Sequence, residues 1–169
     1  MIKNILLSLF LIGTLVQADP FSKGNLGLGV VLGSGSITIE KRFSSEVQNY
    51  TILGVSTDYF IYDNLSVGIG YRGWFGGEPT LNQFTIPVTY YAPLSEKFRP
   101  YIGVFGRQTL VNSDIYDDYS SYGAKIGVAY LFSPRAYLGF GWVTEKYSEC
   151  DMSNECSNSY PEFVFSFSL

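Results

Sequence analysis

The chain has no histidine. A serine nucleophile at its free pKa is weak without an adjacent base, so hydrolytic mechanisms that depend on imidazole are excluded. Histidine metal ligands go with them, and two neighbouring cysteines alone do not make a zinc site. Glu145 and Glu162 are the remaining candidates for a catalytic base, and structural ion pairing is the stronger reading of both. The expectation is a non-enzyme without catalytic, metal or cofactor residues. Charged residues are also few, at 15%. All fifteen acids but only ten of the eleven cations follow residue 18, so residues 19–169 carry a formal charge of −5. That leaves no basic face for nucleic acid. Alanine and other helix formers are sparse, which points away from helices.

Long apolar runs are missing after residue 16. The run Ile5–Val16 is twelve residues long, short of the roughly 20 needed for a membrane-spanning helix. Lys3 precedes it and "VQA" follows, the layout of a secretory leader with a cut between Ala18 and Asp19. The expected organisation is a signal peptide over 1–18 and one domain over 19–169. In an exported chain, Cys150 and Cys156 are expected to form a disulfide closing the small loop "CDMSNEC".

What the chain does have is glycine and aromatics: 18 Gly, 14 Tyr and 13 Phe. They fall in a period-2 pattern, the mark of strands with two unlike faces. Leu26, Leu28, Val30 and Leu32 alternate with Gly27, Gly29, Val31 and Gly33. Further alternating segments follow around 53–61, 65–74, 83–91, 101–110, 124–132 and 137–147. The eighth is the tail, where Phe163, Phe165, Phe167 and Leu169 alternate with Glu162, Val164, Ser166 and Ser168. Connections are short at 62–64, 93–99 and 133–135. They are longer or more polar at 34–50, 76–80, 111–121 and 148–159. This describes an all-β, eight-stranded antiparallel up-and-down barrel with two unlike ends. Residues 36–43 also alternate and are expected to extend strand one.

The bulky apolar face runs through every strand, while the opposite face is rich in Gly, Ser and Thr. Eight strands leave an interior just wide enough for side chains, so the small face suits the inside. That face also carries Asp58, Arg72, Arg107, Lys125, Glu145 and Glu162, three cations and three anions. Inside a narrow lumen these must pair, because an uncompensated buried charge costs several kcal/mol. The apolar face then meets lipid, and a membrane-spanning sheet must close on itself. Tyr and Trp near strand ends fit the bilayer interfaces. Asp114, Asp117 and Asp118 lack the spacing of a calcium loop and read as a solvated acidic loop.

The leader, "GNLGLGVVLG", "YFIYDNLSVGIGYRG", "RPYIGVFG" and the aromatic last strand resemble the small eight-stranded outer-membrane barrel proteins. That broad group includes the OmpA transmembrane domain and the OmpX/Ail-type proteins. The resemblance spans the whole of 19–169 and implies a transmembrane β-barrel in the cell outer membrane of a Gram-negative-type bacterium. It implies outer-membrane lipid and lipopolysaccharide as surroundings, and recognition of the last strand by the barrel-assembly machinery. Phe163, Phe165, Phe167 and Leu169 would form that assembly signal, though the group ends on Phe or Trp where this chain has Leu169. The function implied is structural, or surface recognition of an extracellular ligand through the loops. A small gated porin-like channel and a secreted soluble ligand-binding barrel are the alternatives.

Overall fold

The computed structural model describes residues 19–41, 44–113, 117–148 and 156–169. Each alternating segment forms a strand: β1 (Leu26–Lys41), β2 (Ser44–Tyr62), β3 (Leu65–Phe75), β4 (Thr80–Tyr91), β5 (Phe98–Asn112), β6 (Tyr119–Ser133), β7 (Ala136–Tyr147) and β8 (Ser157–Ser168). Neighbours in sequence pair antiparallel, and β8 returns to β1, so the sheet is a closed barrel. This is the eight-stranded up-and-down architecture the alternation implied. The β2–β3 turn places Asn64 at φ 65, a left-handed conformation that Asn tolerates through local hydrogen bonding.

The two faces part cleanly. Leu53, Val55, Ile69, Ile86, Val104, Ile126, Phe140 and Phe163 are all exposed on the outside, while Asp58, Arg72, Arg107, Glu145 and Glu162 are buried inside. A protein in water arranges these groups the other way round. The distribution fits a hydrocarbon solvent, where backbone groups must be satisfied within the sheet.

The closing seam follows the same rule. β1 and β8 pair from Gly27↔Ser168 to Gly33↔Glu162 and no further. The next residue of β8 is Pro161, which has no N–H to continue a ladder. Just beyond, the outward residues change from Leu32 and Phe163 to Ser34 and Ser159. The edges therefore separate where the apolar belt ends, and water can satisfy them there.

β1 continues past the seam, paired only with β2, from Gly35↔Tyr50 to Lys41↔Ser44. The extension of strand one is present. The long connection read over 34–50 is not a loop, however, because β2 already begins at Ser44. Alternation in 44–50 is too polar to mark a strand by itself, and its partner across the hairpin supplies the ladder. Residues 35–41 and 44–50 make a two-stranded ladder at the loop end of the barrel.

The belt predicts a depth-dependent cost for charge. Ile69, 66% exposed at mid-strand, should lose about 2–4 kcal/mol of folding free energy on Ile69→Arg in bilayer vesicles, against about 0–1 for Thr144→Arg above the belt. Reversible denaturant titration measures both, and equal costs would contradict a lipid-facing belt.

Candidate functional site

Three layers of side chains fill the lumen. At the turn end, Phe21, Phe60, Tyr91, Tyr101, Ala129 and Tyr137 form a buried cluster. Phe21 lies 4.5 Å from the Tyr91 ring and 5.1 Å from the Tyr137 ring, and the two tyrosine hydroxyls share a 3.1 Å hydrogen bond. At the loop end, Tyr50, Ile52, Trp74, Leu81, Phe105, Val143 and Tyr160 form a second cluster. Trp74 meets Tyr160 edge-on at 5.4 Å, and its indole N–H donates to Gln83 Oε1 at 2.8 Å. Gln83 in turn donates to Thr109 Oγ1 at 3.2 Å.

The charges lie between these layers. Arg107 pairs with Glu145 through Nη1, donates to Tyr160 Oη at 2.7 Å and donates from Nε to Thr85 Oγ1 at 3.0 Å. Its guanidinium also stacks 4.5 Å over the Phe105 ring. Arg72 Nη1 lies 2.8 Å from Glu162 Oε2, a close ion pair, and donates to the same Tyr160 oxygen at 3.4 Å. Tyr160 thus joins both pairs. Asp58 is buried and Lys125 half-buried on the same inner face, and among the described residues neither forms an ion pair within 4.0 Å. The Lys125 ammonium instead sits 5.8 Å from the Tyr101 ring centre. Four of the six charges therefore meet directly, and the other two face a cavity of ≈ 30 Å³ lined also by Arg72, Tyr101, Tyr137 and Glu162. A water needs roughly 10–15 Å³ of such space, so the cavity suits a water or two and no larger solute.

Sequence reasoning read the inner glycines as room in a cramped interior. Their role is more specific. Register sets Tyr101 opposite Gly127, Gly127 opposite Gly141, and Gly141 opposite Glu162. The Tyr101 side chain lies across these strands, and a Cβ would fall 2.5 Å from its ring at Gly127 and 2.2 Å from its hydroxyl oxygen at Gly141. Phe105 does the same at Gly123, where a Cβ would approach to 2.6 Å. The glycines are seats for rings that lie against the wall. This is why the lumen holds so many aromatics, including Trp74, Tyr91, Tyr101, Tyr137 and Tyr160. Tyr59, Tyr71, Tyr90, Tyr130, Phe132 and Trp142 do point outward.

Elsewhere, Phe163, Phe165, Phe167 and Leu169 are exposed on the outer face. The expected disulfide involves Cys150, which lies outside the described residues, as does Asp114. Asp118 accepts a hydrogen bond from the Val111 N–H at 2.9 Å and so shapes its own loop. Among the described residues, no group of three His, Cys, Asp or Glu side chains is placed to hold a metal ion.

No protein-family model matches the chain, and no curated protein matches its sequence. Solved structures match it in shape. Neisserial surface protein A (NspA) overlays with a TM-score of 0.65 at 14% identity, over 87% of this chain and 98% of that one. The N-terminal β-barrel domain of Pseudomonas aeruginosa OprF gives 0.61 at 15% identity, over 87% and 98%. A de novo designed transmembrane β-barrel gives 0.57 at 14%, over 88% and 98%. The chain has the fold of the small transmembrane β-barrels, as the sequence resemblance implied.

Three predictions follow from the packing of the wall. Gly141→Val should destabilise the barrel by about 1–3 kcal/mol through overpacking against Tyr101. Gly106→Ala should be close to neutral, because a Cβ there meets nothing within 4 Å. Glu145→Leu should cost about 3–5 kcal/mol by leaving Arg107 buried and unpaired, with most of that recovered in Arg107→Met/Glu145→Leu. Unfolding titrations in detergent would check each, and a double variant as weak as the single would refute direct pairing.

Proposed function

We propose that the chain is an integral outer-membrane barrel whose role is structural or one of surface recognition through its loop end. The observation that carries this reading is the filled lumen, in which a paired charge layer lies between two buried aromatic layers. With no room for a solute, the groups left to meet other molecules are at the loop end: the β1–β2 hairpin and the loops around 76–79, 113–118 and 148–156. Loops on a rigid scaffold are where recognition is generally built. The exposed apolar belt supports insertion in lipid, beside outer-membrane lipid and lipopolysaccharide, and argues against the secreted soluble barrel.

The remaining assignments extend this reading. Residues 1–18 act as the export signal, cut before Asp19. Phe163, Phe165, Phe167 and Leu169 present an alternating strand to the barrel-assembly machinery. A Cys150–Cys156 bond would hold the last loop, contributing roughly 2–2.5 kcal/mol for so small a ring. The six lumen charges serve as a structural plug.

The test is single-channel recording in planar bilayers. Parent protein and Arg107→Ala should both be electrically silent, since the aromatic layers survive the substitution. Regular unitary openings in the parent would overturn the scaffold reading and favour the gated channel.

A further inference from the structure

Residues 19–25 precede the first strand, yet they are tied to the barrel at several points. Phe21 is 1% exposed, with its ring enclosed by Phe60, Tyr91 and Tyr137. Its carbonyl accepts the Asn64 N–H at 2.7 Å. The Gly24 N–H donates to the Phe60 carbonyl at 2.8 Å, and the Lys23 N–H to Asp63 Oδ1 at 2.8 Å. Asp19 organises the turn itself. Its Oδ1 accepts the Phe21 N–H at 3.1 Å, and its carbonyl accepts the Ser22 N–H at 3.0 Å and Asn25 Nδ2 at 2.8 Å.

One side chain ties this turn to the barrel wall. Arg99, on β5, pairs with Asp19 Oδ2, donates to Asn64 Oδ1 at 2.8 Å and lies 5.4 Å over the Phe21 ring. It therefore touches the segment by charge, by the turn that holds Phe21, and by ring contact. Asp19 and Arg99 also line an open basin with Glu96 and Lys97, so solvent reaches the ion pair although Phe21 is covered. Behind Phe21, Tyr91 and Tyr137 are a single ring layer from the central cavity, which both of them line.

We propose that residues 19–25 are a releasable stopper: Phe21 seals the turn-end mouth of the barrel, and the Asp19–Arg99 ion pair is the latch that holds it. The strands close without this segment, because every ladder of the barrel lies outside it. Release leaves the wall intact and uncovers Tyr91 and Tyr137. The inference concerns the molecule's own closure and does not depend on what the loop end recognises.

Amide hydrogen exchange on the processed protein, folded in detergent, tests the latch. The amides of Gly24 and Asn64 should be protected in the parent. Asp19→Asn and Arg99→Gln should each speed their exchange at least tenfold while β3–β6 and the unheated gel mobility stay unchanged. Asp19→Asn lies outside the wall, so it keeps the test available if Arg99→Gln fails to fold. Nitration with tetranitromethane, mapped by peptide mass, tests the seal: Phe21→Ala should raise modification of Tyr91 and Tyr137 at least tenfold. Unprotected Gly24 and Asn64 in the parent, or unchanged exchange in Asp19→Asn, would overturn the latch. Unchanged nitration in folded Phe21→Ala would overturn the seal.

Discussion

The structure depends on one constraint: eight strands enclose a space that side chains can fill but little else can enter. Every inward residue must then be small, seated or neutralised. Glycines at 123, 127 and 141 let Phe105 and Tyr101 lie against the wall. Arg72 and Arg107 are placed where Glu162 and Glu145 compensate them, and the Tyr160 hydroxyl serves both pairs. Removing any of these leaves either a clash or an unpaired charge in a space without room to relax.

The outside follows from the same closure. Because polar groups are drawn inward, the outer surface is left to Leu, Ile, Val and Phe, and hydrocarbon becomes the fitting solvent. Closure is needed only as deep as that solvent reaches. The β1–β8 ladder stops at Pro161, beside the change from apolar to serine-bearing outward positions. The likeness to a designed barrel at 14% identity is a likeness of shape, and a fold by itself does not fix a function.

Much of this was legible in sequence because period-2 alternation assigns a face to each residue. It placed Ile102 and Val104 outside, Arg107 and Thr109 inside, and joined the last strand to the first. Alternation does not assign depth or neighbour, and there the reading fell short. Tyr101 shares the inner parity of Arg107, but only its register shows that the ring lies against Gly127 and Gly141. Asp58 and Lys125 shared a face with the paired charges but lack ion partners within reach among the described residues. The start of β2 was hidden because its first residues are polar and depend on β1 for their ladder. Phe21 gave no signal at all: a single aromatic in a polar turn acquires its role only from the socket formed by three distant strands.

The central claim is that the inner and outer faces of the wall are two different solvents. Photolabelling in vesicles with a carbene probe carried on the lipid acyl chain, mapped by peptide mass, examines it residue by residue. The account predicts insertion at outward side chains such as Ile69, Phe140, Phe163 and Phe165, with none at Phe60, Trp74, Phe105 or Tyr160. Labelling of the inner set, or no labelling of the outer set, would contradict it.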